Sequence, residues 1–246
     1  MMPWKQSRPG NDLQDGDVHL WRVQLNVSDF ALGRLRGMLS EEEMERCERF
    51  RFPDLQRHFA AGRGALRAIL AGYLATPPER LKFDYTTYGK PFLRDSPRDL
   101  QFNLSHSGGL MVAAVCRNSP IGVDIERDDR RLHPLEIAQR YFCEREREEI
   151  ARADAGDRHG VFFQLWTAKE AVLKATSLGL AVELSKLEIG LRPLRVVALE
   201  EEAKIHGAGI HLVAFQPGEN YTGTVAVVGS LSRVDYWDFV PPSQLH

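Results

Sequence analysis

Hydrophobic and polar positions along the chain change period several times, and each change marks an element. Val18-His19-Leu20-Trp21-Arg22-Val23-Gln24-Leu25 alternates with a period near two and predicts a strand. Ser40 followed by Glu41, Glu42 and Glu43 opens a helix, with serine as cap and Glu43 at the capping-box position. Arg57 to Leu74 predicts a second helix, rich in Ala, Leu and Arg, which Pro77-Pro78 stops. Gly62, Gly64 and Gly72 lower its helix propensity, so close packing or a ligand is expected there. Tyr88-Gly89-Lys90-Pro91 is a turn, and Leu100 to Leu104 a short extended segment. The polar run Asn103-Leu104-Ser105-His106-Ser107-Gly108-Gly109 leads into an apolar strand at Leu110 to Val115, and Pro120 introduces a further strand, Ile121 to Glu126.

The order then repeats. Short charged helices are predicted over Leu135 to Arg140 and Glu144 to Arg152, and a long helix over Val161 to Ser177. Strands follow at Leu187 to Leu191, Val196 to Leu199, Ile210 to Phe215 and Tyr221 to Val228. Both halves run strand, short helix, long helix, strands, which suggests a pseudo-repeat with its boundary near Ser119-Pro120. Residues 1–17 are polar and are expected to be a flexible N-terminus; residues 18–119 and 120–246 form the two halves. The tail from Leu231 carries Tyr236, Trp237 and Phe239 and is expected to pack back on the body.

Composition narrows the field. The chain has 246 residues, 27% charged and 43% hydrophobic, with a formal net charge of −2. That is an ordinary globular composition, without the excess positive charge that wholesale attraction to nucleic acid or anionic membrane requires. No segment has the roughly 18 apolar residues of a membrane span, and no signal-peptide core is present. Cys47, Cys116 and Cys143 are widely spaced, as expected of reduced thiols in a cytoplasmic protein.

Five segments carry candidate chemistry, one of them the Gly89-Lys90-Pro91 turn, which fixes a cation between Gly and Pro or is a simple surface turn. Asp124 and Glu126 are two apart on a strand and point to one face, where like charges repel unless a cation lies between them. They fit a metal pair and equally a solvated edge paired to Arg127 or Arg130. Glu170 and Lys174 are four apart on the long helix and share a face with Trp166. Taken alone this reads as an ordinary surface ion pair. The Ser105-His106-Ser107-Gly108-Gly109 run offers hydroxyls, an imidazole and close backbone approach for an anion, or a plain polar turn. Arg46, Arg49 and Arg51, then Arg57, Arg63 and Arg67, form either a phosphate clamp or a solvated basic face balanced by Glu41 to Glu48.

In order, these segments run from the arginine-rich helix start through Gly-Lys-Pro, Phe-Asn-Leu-Ser-His-Ser-Gly and Gly-Val-Asp-Ile-Glu to Trp-Thr-Ala-Lys-Glu-Ala-x-x-Lys. The set resembles the 4′-phosphopantetheinyl transferases of the larger, surfactin-synthetase-activating type. The resemblance covers roughly Val18 to Val228. It implies an α+β fold of two similar halves about a pseudo-twofold, a monomer, and coenzyme A in the cleft between the halves. It implies transfer of 4′-phosphopantetheine from coenzyme A to a serine of an apo acyl or peptidyl carrier protein, releasing adenosine 3′,5′-bisphosphate. Asp124, Glu126 and Glu170 would hold Mg²⁺, with Mn²⁺ as an alternative. Glu170 or a metal-bound water would take the serine proton, and Lys174 would serve the phosphates or the leaving group. Lys169 would support that region. Ser105 and His106 would meet the coenzyme A phosphates, Lys90 the nucleotide, and Arg46 and Arg49 the 3′-phosphate. Arg57, Arg63 and Arg67 fit the pattern without a role. Ala171 replaces a serine common after the Lys-Glu pair. The carrier is expected on the segment from Arg127 to Phe163, with Arg130, Arg131 and Arg140 as contacts. A non-catalytic coenzyme A or carrier-binding module is the alternative, and a metal nuclease a weaker third, since no strand offers Glu-x-Lys.

Overall fold

The computed structural model describes residues 4–7, 12–87, 89–94, 99–129, 131–177, 183–199 and 209–241. In chain order the elements are β1 (Lys5–Ser7), β2 (Asp17–Gln24), α1 (Asp29–Arg36), α2 (Glu41–Glu48), α3 (Pro53–Leu74), β3 (Phe83–Tyr85), β4 (Pro91–Leu93), β5 (Leu100–Ser107), β6 (Leu110–Arg117) and β7 (Ile121–Arg127). They continue with α4 (Pro134–Tyr141), α5 (Glu144–Arg152), α6 (Arg158–Thr176), β8 (Leu187–Leu191), β9 (Leu194–Leu199), β10 (Ile210–Phe215), β11 (Tyr221–Val228) and β12 (Arg233–Phe239).

Two sheets carry the fold, in the orders β1-β12-β2-β6-β5 and β10-β11-β7. Without β1 and β12 the two are alike. Each half has three antiparallel strands, the last of them in the middle: β2-β6-β5 and β7-β11-β10. Three helices stand between the first and second strands of each triplet, α1 to α3 in one half and α4 to α6 in the other. The class is α+β with two similar halves. Three apolar layers hold it. Trp21, Val23, Leu66, Ile69 and Val115 lie between α3 and the first sheet. Leu20, Val112, Val123 and Val225 lie between the two sheets. Leu165, Val172 and Ala226 lie between α6 and the second sheet.

Three expectations change. The N-terminal stretch is not loose where it is described: Lys5–Ser7 pairs in parallel with β12, and Leu13 is buried in the first core. The aromatic tail contains a strand, and β12 inserts in parallel beside β2, so the end of the chain completes the first half's sheet. The Asn103–Ser107 run is no loop but the end of β5. Only Gly108 and Gly109 turn the chain into β6, with Gly108 at φ +55°, a conformation that favours glycine.

Strand periodicity positions the site. In β7, Val123 and Ile125 enter the core between the sheets, whereas Gly122, Asp124 and Glu126 point to the other face, toward α6. A Cβ on Gly122 would lie 2.1 Å from the Ala171 carbonyl oxygen and 2.4 Å from the Ala175 nitrogen, so the helix rests on a bare backbone. Gly122→Ala is expected to force α6 off β7 at a cost of about 3 kcal/mol. Urea unfolding would measure this, and a loss below about 1 kcal/mol would show that the helix has room to shift.

A buried polar cluster joins β2, α3 and β12. His19 Nδ1 lies 2.7 Å from the Tyr73 hydroxyl, which also accepts Trp21 Nε1–H at 2.8 Å. His19 Nε2 lies 3.9 Å from Asp235. Burial lowers the imidazole pKa, against the opposing pull of Asp12, Asp235 and Asp17. The unfolded chain therefore takes up the proton more readily than the folded one. Stability is full above about pH 6.5 and is lost as pH falls from there through the lower folded value. Urea melts at pH 7.5 and 5.5 should show this loss, and His19→Asn should shrink it; an identical loss in the variant would place the source elsewhere.

Candidate active site

The two halves meet along β5 and β7, which are joined by side chains of β5. Asn103 Oδ1 accepts the Val123 N–H at 2.9 Å, and Ser107 Oγ accepts the Arg127 N–H at 3.1 Å. Ser105 Oγ donates to Asp124 Oδ1 at 2.9 Å, and Ser107 Oγ to Glu126 Oε2 at 2.7 Å. The first half thus orients both acids of the second.

From the other side α6 presents Glu170 and Lys174. Lys174 Nζ donates to Asp124 Oδ1 at 2.7 Å and to the Val123 carbonyl at 3.3 Å. Asp124 Oδ2 is buried and has no hydrogen-bond partner among the described residues. Burial raises the pKa of Asp124 despite Lys174 and Ser105. Glu126 is also raised by burial, and by Asp124. Glu170 is raised by burial first, then by Asp124 and Glu126. The three carboxyls therefore feel one another, and Lys174 stands among them. Thr167 of α6 bonds Thr224 at 2.9 Å, tying the helix to the strand position that pairs with Asp124.

A cavity of about 680 Å³ lies beside the trio, walled by Arg46, His58, Arg63, Tyr85, Gly89 and His106, among others. Arg46 lies over the Phe59 and Tyr85 rings, at 5.5 and 5.8 Å. Arg63 donates to the Tyr85 hydroxyl at 2.9 Å and sits 3.5 Å from Glu43, and its Nη1 has no partner among the described residues. Around His106, desolvation and then the Lys174 charge push the imidazole pKa down, which favours the neutral ring. A smaller cavity of about 320 Å³ opens past Ser107, Gly108 and Glu126 onto Ile137, Phe162, Phe163 and Trp166.

Several of the expected residues meet other partners in the structure. Lys169 is fully buried on another flank of α6: it pairs with Glu146 at 2.8 Å and donates to the carbonyls of Leu184 and Leu187. One residue along a helix is a turn of about 100°, so Lys169 and Glu170 diverge. Lys90 does not present its ammonium to the cavity but donates to the carbonyls of Ile121 and Lys174. Ser105 is buried with its hydroxyl committed to Asp124. Arg49 is exposed, 3.6 Å from Glu45, on a neighbouring cavity that shares Arg46. Arg67 is structural, bonded to Glu43 and to the carbonyls of Pro78 and Leu81, and Arg57 holds Asp29. Arg131 pairs with Asp129, Arg140 stacks on Tyr141, and Arg130 lies outside the described residues. Sequence reading missed His58 and Tyr85 as walls and left Arg63 without a role. Gly62, which it flagged, lies between them on the cavity side, where a Cβ would meet Met111 Sδ at 3.2 Å.

Carboxylates against a lysine, beside an arginine-walled cavity, suit a substrate that carries phosphate. Residues 120–226 match the 4′-phosphopantetheinyl transferase superfamily, and residues 24–118 match the N-terminal region of 4′-phosphopantetheinyl transferases. The 4′-phosphopantetheinyl transferase HetI of Nostoc sp. is 38% identical over 239 residues, covering 96% of this chain and 98% of the relative. The transferase Sfp of Bacillus subtilis is 30% identical over 167 residues, covering 68% of this chain and 73% of its own length. Among solved structures, the holo-[acyl-carrier-protein] synthase of Thermotoga maritima aligns at 18% identity with a TM-score of 0.36, over 45% of this chain and 63% of its own. The chain belongs to the 4′-phosphopantetheinyl transferase family and is of the Sfp type. It is an enzyme that transfers phosphopantetheine to carrier proteins.

Proposed function

We propose that this transferase takes coenzyme A into the 680 Å³ cavity and uses Mg²⁺ held by Asp124, Glu126 and Glu170. The observation that carries the metal assignment is Asp124 Oδ2, a buried carboxylate oxygen without a partner among the described residues, near two other carboxyls of raised pKa. Among the described residues no three His, Cys, Asp or Glu side chains already converge as a closed metal site, and Lys174 holds the other Asp124 oxygen. The donor set still fits: it is all hard oxygen, and a cation would relieve the repulsion that burial intensifies. When bound, Mg²⁺ would offset charge on the pyrophosphate oxygens.

The chain's own residues supply the rest. Glu170 accepts the proton of the incoming serine hydroxyl, whose oxygen attacks the β-phosphorus of coenzyme A. The bond from that phosphorus to the bridging oxygen breaks, and adenosine 3′,5′-bisphosphate leaves with the electron pair. Lys174, with two N–H groups engaged, offers the third to a phosphate oxygen. His106, favoured neutral, donates one ring N–H within the cavity. Arg46 and Arg63 meet the nucleotide phosphate, and Arg49 adds charge at the rim. The apolar floor of Ile137, Phe162, Phe163 and Trp166 supports a carrier approaching past Glu126. One chain supplies both halves, which supports a monomer, and the free thiols Cys47, Cys116 and Cys143 fit a cytoplasmic location.

Incubation with coenzyme A, Mg²⁺ and a panel of apo acyl, peptidyl and aryl carriers should add the phosphopantetheine mass to at least one of them. Equal transfer in excess chelator would overturn the metal assignment, and no transfer to any carrier would overturn the substrate reading.

A further inference from the structure

Lys90 stands in a tightly closed turn at the edge of the cavity. Thr86 N–H donates to the Lys90 carbonyl at 2.9 Å, Gly89 N–H to the Thr86 carbonyl at 2.8 Å, and Lys90 N–H to Thr86 Oγ1 at 3.1 Å. Gly89, at φ +78°, takes the left-handed conformation this turn needs. Gly89 and Pro91 line the cavity, and the side chain between them leaves in another direction. It crosses the seam between the halves, and Nζ donates to the Ile121 carbonyl at 3.0 Å and the Lys174 carbonyl at 2.8 Å.

Both acceptors lie at the ends of elements. Lys174 lies in the last turn of α6, where carbonyls lack an intrahelical donor. Thr176 Oγ1 donates to the carbonyls of Val172 and Leu173, and Lys90 takes the next one. A cation there also faces the negative end of the helix dipole. Ile121 is the first residue of β7, the strand that carries Asp124 three positions on. One ammonium thus ties together the start of the acid-bearing strand and the backbone of Lys174, whose side chain binds that acid. Burial, together with the nearby Lys174 charge, pushes the Lys90 amine down to about 8, a cost that its two carbonyl bonds offset.

We propose that Lys90 is a positioning residue of the transfer reaction: from the first half of the chain it fixes the main chain at Ile121 and Lys174, and so holds the Lys174 side chain against Asp124. Its ammonium, engaged by those two carbonyls, is turned away from the cavity. Only the kinetic arm of its test rests on the transferase reading.

Lys90→Ala is expected to lower kcat by about 10- to 100-fold, in the range that loss of a supporting contact causes, with KM for coenzyme A within about twofold of wild type. Added butylamine, which refills the site with an ammonium, should restore a substantial part of kcat. Amide hydrogen exchange over the last turn of α6 should quicken by about tenfold in the variant and slow again with the amine. A raised KM with unchanged kcat would overturn the proposal, as would an unchanged rate of exchange. If Lys90→Ala does not fold, Lys90→Arg decides: lowered kcat with wild-type KM supports the role, and raised KM refutes it. Should the wild type transfer nothing, the transferase reading fails, and the exchange measurement still decides whether Lys90 is the latch.

Discussion

Glu170→Gln is expected to lower turnover by about three orders of magnitude while leaving the fold as stable as before, or more so. A general base contributes roughly 10²–10⁴-fold, and an amide of the same shape neither accepts the serine proton nor supplies anionic charge to a cation. The stability half of the expectation comes from the same site. Burial, Asp124 and Glu126 all disfavour the charged form of Glu170, and only the Lys174 charge favours it. Replacing that charge by a neutral isostere therefore removes repulsion, whereas removing a purely structural glutamate would cost stability. Single-turnover transfer to an apo carrier, measured beside a thermal melt, separates the two. Turnover near that of wild type would refute the role of Glu170, and loss of activity together with a lowered melting temperature would make it structural. Burial disfavours the Asp124 charge as well, but Asp124→Asn also leaves the Lys174 ammonium without its carboxylate, so it should cut turnover by orders of magnitude and lower stability, and the two acids are told apart by the melt.

Spacing along single elements was legible in the sequence, and direction across elements was not. A two-residue interval put Asp124 and Glu126 on one face of β7, and a four-residue interval put Glu170 and Lys174 on one face of α6. The Ser40–Glu43 capping box was likewise a local pattern, and both of its bonds are present. Lys90 and Lys169 are harder. Each sits beside a residue of the site, and a neighbour in sequence points elsewhere in either regular structure. What decides their direction is a distant acceptor, the carbonyls of Ile121 and Lys174 for one and Glu146 for the other. The β12 strand was missed for a related reason. Tyr236, Trp237 and Phe239 carry no clean alternation, because Trp237 stacks on Trp21 of β2 while Tyr236 meets Trp4 at the opposite end of the chain. Those contacts join segments more than 200 residues apart, and no local period encodes them. Ser105 illustrates the same limit within the site. Its hydroxyl suits a phosphate, and only the approach of β7 gives it to Asp124.

Glu146→Ala is expected to cost about 3–5 kcal/mol, the largest stability effect of any single change considered, although Glu146 touches no part of the active site. The residue is a junction. Oε2 accepts the Cys143 N–H at 3.0 Å, which caps α5, and Oε1 accepts the Ile189 N–H at 2.8 Å, which holds β8. Oε2 also meets the Lys169 ammonium at 2.8 Å, with both side chains about 1% exposed. Truncation leaves the buried Ile189 N–H and the half-buried Cys143 N–H without their acceptor and a buried cation with only carbonyls around it. Lys169→Met should cost less, because the carboxylate would keep its two backbone donors. In the double variant Glu146→Gln with Lys169→Met no unpaired charge remains, so the combined loss should fall below the sum of the two single losses. Urea unfolding of the set measures the coupling, and strict additivity would show that the pair does not interact. Lys169→Met also bears on function. Assayed at a temperature where it stays folded, it should keep the wild-type KM for coenzyme A, because its ammonium faces Glu146 across the second core; a KM raised tenfold would return Lys169 to the phosphate site.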